Sequence, residues 1–294
     1  MRDMLPCVAR RGQPPASQWA RTHGVYYARR VGVLSRIVET KQAEIAALRG
    51  APAPAPRPRR ASSDPYEVLH RPAGRPMALL AEIKRRSPSA GELSGVLSPA
   101  DRGRAYERAG AAGISVLTDA PFFGGSYADL AEVSDAVRVP TLCKDFVLDE
   151  VQLAHAAASG ASLVLLIVRI LPDAVLAELV TAARRHHLAP LVEVATHDEL
   201  ARALSAGARI IGVNARDLDT LEMDRARAAS VLAAIPDGRI AIHLSGLSSP
   251  EDVAAIAKGR ADAALLGEAL MRRDDPEPLL ASLVAAAGGP AWPR

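Results

Sequence analysis

Lysine is nearly missing from this chain. Of the 36 Lys and Arg residues among 294, only Lys41, Lys84, Lys144 and Lys258 are lysines, so arginine is the default solvating cation. An ammonium is more compact than a guanidinium, and its pKa moves readily on burial. A lysine inside an apolar strand is therefore a candidate for chemistry. Lys84 and Lys144 fit that description, whereas Lys41 and Lys258 read as ordinary surface residues. Aromatics are also sparse, at 3%, which argues against base-stacking platforms. A formal net charge of +3 is too small for a nucleic-acid footprint. The two cysteines, Cys7 and Cys143, lie far apart without metal-ligand or redox spacing, which fits a reducing cytoplasm. No secretory apolar region follows the N-terminus, and the longest clear apolar run, Leu163 to Val168, is far too short for a bilayer.

What is present is a repeat. Residues 1–32 show no period and read as a poorly ordered extension. Over 33–50, Leu34, Ile37, Val38, Ile45 and Leu48 share one helical face. Gly50 and a Pro/Ala/Arg-rich linker over 51–65 end that helix. From 66 to 288, apolar runs begin near Ala78, Ile114, Pro140, Leu163, Pro190, Ile210, Ile240 and Ala263, separated by helix-like stretches. Gly110 (with Gly113), Gly160, Gly207 and Gly259 precede every second run and suit left-handed helix ends. The runs they precede recur at roughly fifty residues. Ser98-Pro99 with Asp101, Thr196 with Glu199, and Ser249-Pro250 with Asp252 mark helix starts. Strands alternating with helices predict a parallel sheet, closed most simply as a (β/α)8 barrel, for which about 250 residues is typical. An open doubly wound sheet is the runner-up, but its Gly-rich fingerprint is absent after the first strand.

In such a barrel, chemistry sits at the C-terminal ends of the strands. Strand one ends in Glu82-Ile83-Lys84, strand three in Lys144-Asp145-Phe146 and strand five in Glu193-Val194. Strand six ends in Asn214-Ala215-Arg216, strand seven in Leu244-Ser245-Gly246 and strand eight in Gly267-Glu268. Glu82 and Lys84 alternate with Ile83 and so share a face. Charges inside apolar strands are costly unless paired or functional. A structural ion pair accounts for Glu82 with Lys84, but not for a second lysine, a glutamate and an asparagine at matching heights on three other strands. The pattern favours catalysis. Ser245-Gly246 and Gly267 let backbone N–H groups approach an anion, and Ser87 with Lys84 adds a hydroxyl and a cation. Ordinary turn glycines are the alternative there.

Ala81-Glu82-Ile83-Lys84 with Ser87-Pro88-Ser89 resembles the first-strand signature of the indole-3-glycerol-phosphate synthase family. Ser115-Val116-Leu117-Thr118-Asp119, Phe122-Phe123-Gly124-Gly125-Ser126, Leu142-Cys143-Lys144-Asp145-Phe146 and Asn214-Ala215-Arg216-Asp217-Leu218 are similar to the family's motifs too. So are the stretch around Glu193 and Gly267-Glu268-Ala269-Leu270-Met271, and segment 33–48 is similar to the family's extra N-terminal helix. The resemblance implies a tryptophan-pathway carboxy-lyase that turns 1-(2-carboxyphenylamino)-1-deoxyribulose 5-phosphate into indole-3-glycerol phosphate, CO2 and water, without metal or organic cofactor. It implies Lys144 as general acid on the ribulose carbonyl oxygen and Lys84 as holder of substrate anions, active again in dehydration. Glu193 becomes the second acid/base, Glu82 orients the lysines, and Asn214, grouped with Ser245, positions the hydroxyl and amine. Arg216 faces the substrate carboxylate, Phe123 and Phe146 wall the ring, and Ser87, Gly246, Gly267 and the backbone of Glu268 take the phosphate. The expected partner is a phosphorylated small molecule, with no nucleic acid or membrane, bound by a monomer or weak homodimer.

Two positions depart from the family pattern. Leu244 stands where the family has glutamate, and Cys143 where it usually has arginine. His243 is no substitute for the missing carboxylate, because neighbouring strand residues face opposite sides. Losing that anion leaves the paired lysines less compensated and predicts a lowered ammonium pKa. The alternative reading is a catalytically impaired or repurposed paralogue that binds a phosphorylated ligand or acts in a specialised indole pathway.

Overall fold

Apolar residues run almost unbroken through eight strands, as a parallel sheet covered on both faces requires. In the computed structural model, which describes residues 32–51, 54–55, 63–87 and 91–290, these strands close into a barrel. Its members are β1 (Ala78–Ile83), β4 (Gly113–Leu117), β5 (Thr141–Lys144), β6 (Leu163–Ile167), β7 (Ala189–Val194), β8 (Ile210–Val213), β9 (Ile240–His243) and β10 (Ala263–Leu266). The order around the barrel is β1-β10-β9-β8-β7-β6-β5-β4, every pairing is parallel, and β4 closes on β1 through Leu80–Gly113 to Ile83–Val116. The open sheet is ruled out. Two short strands, β2 (Arg86–Ser87) and β3 (Gly91–Glu92), form a small antiparallel pair in the loop after β1.

Local chemistry sets the helix ends. Ser98, Thr196 and Ser249 accept the backbone N–H of Asp101, Glu199 and Asp252 respectively, the three N-caps expected from the sequence. Gly110, Gly160 and Gly207 adopt left-handed backbone, and the residue after each donates back to the carbonyl of residue 106, 156 or 203. Gly259 differs from the expectation. It is not left-handed, and its N–H bonds Ile256 O in a single tight turn.

The N-terminal helix, Val33–Gly50, ends with Ala51 in extended backbone. It buries Leu34, Ile37, Val38 and Ile45 together with Lys41. The surface role expected for Lys41 is therefore wrong: its side chain is fully buried among carboxylates. Lys258, at the end of helix Pro250–Ala257, is exposed as expected. Most of the proposed extension (1–32) and linker (51–65) lies outside the described residues, as do Pro88 and Ser89.

Candidate active site

The C-terminal ends of the strands surround a cavity of about 790 Å³, within the range of small-molecule sites. Every proposed site residue lines it: Glu82, Lys84, Ser87, Phe123, Lys144, Phe146, Glu193, Asn214, Arg216, Leu244, Ser245, Gly246, Gly267 and Glu268. Glu82 is its electrostatic centre. The carboxylate is buried, with Lys84 Nζ 2.9 Å from Oε1 and Lys144 Nζ 3.0 Å from Oε2. Period-two alternation places Glu82 and Lys84 together, and barrel closure brings Lys144 from β5. Burial pushes the Glu82 carboxyl up, but Lys144 and Lys84 outweigh it and hold it down at about 2. Two backbone features fix the glutamate: Tyr106 Oη donates to Glu82 O at 3.3 Å, and a Cβ on residue 267 would lie 2.6 Å from Glu82 Oε1. Gly267 thus makes room for the carboxylate, whatever it does for phosphate.

Lys144 corrects the expectation of a lowered ammonium pKa. Burial lowers it, yet Glu82 and Glu193 more than compensate and the group is raised. Lys144 is raised with Leu244 lining the same cavity. Glu193 moves the other way from Glu82. Burial raises its carboxyl, and Lys144 and the hydrogen bond from Asn214 only partly offset that. Asn214 Nδ2 donates to Glu193 Oε1 at 3.0 Å. Asn214 Oδ1 accepts from Ser245 Oγ at 2.7 Å and from Arg216 N at 2.9 Å. Ser245 Oγ in turn accepts the N–H of Ala215 and of Arg216. Ser245 therefore ties the end of β9 to the loop after β8 and fixes Asn214.

Leu244 faces the cavity, as strand alternation predicts, and packs against Gly212, where a Cβ would stand 2.5 Å from Leu244 Cδ1. His243 is buried and is not among the cavity residues. Phe123 and Phe146 face each other with ring centroids 6.0 Å apart. Gly246 is left-handed at φ +86°, and a Cβ there would stand 2.3 Å from Met223 Cε. Leu218, named in a motif without a role, and Leu221 and Met223, which the sequence reading missed because irregular loops carry no period, line the cavity from the loop after β8. Val33, Leu34 and Ile37 also reach it from the N-terminal helix, in keeping with the resemblance of that segment to the family's extra helix near the barrel mouth. Among the described residues no group of three or more His, Cys, Asp or Glu is arranged to hold a metal ion.

The sequence pattern of the indole-3-glycerol phosphate synthase family matches residues 34–283. The chain belongs to the indole-3-glycerol phosphate synthase family. Indole-3-glycerol phosphate synthase of Kineococcus radiotolerans is 49% identical over 74% of this chain and 79% of that one. The enzyme of the same name from Mycobacteroides abscessus is 43% identical over 85% and 90%. Among solved structures, a 3-hexulose-6-phosphate synthase is similar with a TM-score of 0.59 at 19% identity, covering 71% of this chain and 99% of that one; this likeness concerns the fold alone. No helix among the described residues is long and apolar enough to cross a membrane.

Proposed function

We propose that this member of the indole-3-glycerol phosphate synthase family closes the indole ring of 1-(2-carboxyphenylamino)-1-deoxyribulose 5-phosphate, with loss of CO2 and water. The observation that carries the reading is one buried carboxylate holding two ammonium groups, Lys84 and Lys144, at the mouth of the barrel. Lys144, kept charged by Glu82 and Glu193, donates a proton to the ribulose carbonyl oxygen while the carboxylate-bearing ring carbon attacks the carbonyl carbon. Loss of CO2 returns the electron pair to the ring. The new hydroxyl then leaves as water, taking a proton from an ammonium, and the methylene carbon beside the amine gives up a proton, which forms the ring double bond and leaves the indole N–H in place.

Glu193, whose carboxyl is raised by burial, is the second acid/base, with Asn214 orienting it at 3.0 Å. Lys84 holds substrate anions and serves the dehydration. Arg216 receives the ring carboxylate, its guanidinium steadied by a bond from Nη1 to Leu221 O. Phe123 and Phe146 wall the ring, while Ser87, Gly246, Gly267 and the backbone of Glu268 take the phosphate. A monomer or weak homodimer in the cytoplasm belongs to the same proposal. Among the described residues only Val96 and Met223 are large exposed hydrophobics, and Cys143 is a buried free thiol. The test is to incubate purified protein with the anilino-deoxyribulose phosphate and follow indole absorbance. Product above a Lys144→Ala control supports the reading; none rejects it.

A further inference from the structure

The N-terminal helix carries a charge with no evident surface purpose. Lys41 falls four residues after Ile37 and four before Ile45, so it lies on the buried stripe, and its side chain is fully buried. Its Nζ is 2.6 Å from Asp145 Oδ1, 2.7 Å from Glu44 Oε2 and 3.2 Å from Asp119 Oδ2. Burying an ammonium beside two fully buried carboxylates is expensive unless the geometry is held and used.

Both carboxylates belong to the edge of the site. Asp119 follows β4 and caps the short helix Ala120–Phe123, accepting the N–H of Phe122 at 2.8 Å. Asp145 follows Lys144 directly. Its Oδ1 accepts the N–H of Phe146 at 2.7 Å, and its Oδ2 accepts from Thr118 Oγ1 at 2.6 Å. Thr118 N in turn donates to Lys144 O at 3.1 Å. The backbone from 144 to 146 is thus clasped on both sides, and Lys41 is the cation that holds the clasp together. It also joins the two segments that bring Phe123 and Phe146 face to face.

We infer that Lys41 is a positioning residue for the reaction: through Asp145 and Asp119 it sets the place of Lys144 and of the aromatic wall, which makes the N-terminal helix part of the active site. The inference rests on the reading of Lys144 as the acid. Without Lys41, Asp119, Asp145 and Glu44 face one another with no cation between them, and the ends of β4 and β5 move apart. A shift of about 1 Å at a catalytic group is enough to cost turnover.

The chain's few lysines supply a direct test. Protein labelled with 13C at lysine Cε gives one signal each for Lys41, Lys84, Lys144 and Lys258, read beside steady-state kinetics and a thermal melt. In Lys41→Met the Lys144 signal is expected to move. The kcat is expected to fall at least about tenfold with KM changed less than about threefold, at a temperature where the melt shows the barrel folded. In Lys41→Arg, which keeps a cation with several donors between the aspartates, part of the kcat is expected to return. An unmoved Lys144 signal with kcat within about twofold of wild type, and only a lower melting temperature, would overturn the inference and leave Lys41 as a clamp on the helix. If Lys41→Met does not fold, the same two measurements on Lys41→Arg decide. If the wild-type protein turns nothing over, the catalytic proposal fails alone, and the Lys144 signal still decides whether Lys41 positions it.

Discussion

At the N-terminal ends of the strands, arginines hold the backbone together. Arg260 pairs with Asp262 at 2.7 Å and donates to the carbonyl oxygens of Pro236 and Arg239. Arg71 donates to Arg75 and Ala261. At the C-terminal ends, lysines point at carboxylates beside an open cavity. A guanidinium has five donors in a rigid fork and suits several fixed carbonyls at once; an ammonium is a compact point charge that swings and gives up a proton more easily. One end is built to stay put and the other to react; the two lysines on Glu82 follow that division, although arginines, Arg169 and Arg216 among them, also serve the reactive end.

The comparison can be broken most directly at Lys144. Lys144→Ala is expected to lower kcat by about 10³, read by indole absorbance at a temperature where a melt shows the barrel folded; the melting temperature falls as well, because Glu82 loses one of its two cations. A loss of folding instead of turnover would place Lys144 with the structural cations. Glu82→Gln comes next. The folded carboxyl is depressed from 4.5 to about 2, which corresponds to about 3 kcal/mol of stability. Because the shift is downward, that stabilisation is present above about pH 4.5 and is lost as pH falls through about 2. Denaturant titrations of wild type and Glu82→Gln should therefore differ most at neutral pH and converge toward pH 2. A gap independent of pH would show that the ion pairs are not its source. At the other end, Arg260→Ala should cost about 2 kcal/mol, since the pair is partly exposed, with kcat within about twofold of wild type. A matching drop in kcat would erase the division between the two ends. The smallest effect is expected at Ser98→Ala, which removes one N-cap for about 1 kcal/mol and leaves turnover alone.

Much of the fold was legible in the sequence. Leu163–Ile167 and Ala263–Leu266 are unbroken apolar strands, and the caps at Ser98, Thr196 and Ser249 are local chemistry. Glu82 and Lys84 could be assigned to one face because only a single residue separates them. Lys41 was misread although its spacing from Leu34, Ile37 and Ile45 put it on the apolar stripe, because nothing nearby in the chain supplies its main partners, Asp119 and Asp145. Lys144 was expected to lose affinity for its proton from a count of carboxylates by motif. Glu82 raises it first, and Glu193, on a strand two places away around the barrel, adds to that.

The chain by itself determined the alternation of strands and helices, the cap positions and the residues that end each strand, since all of these depend on period and on neighbours a few residues apart. Only the closed barrel decided which charges meet, how tightly Glu82 is held and what the N-terminal helix does. Coulomb energy in a dry interior depends on distance through space; the barrel brings Glu82, Lys144 and Glu193 together, and the docked N-terminal helix brings Lys41 to Asp119 and Asp145.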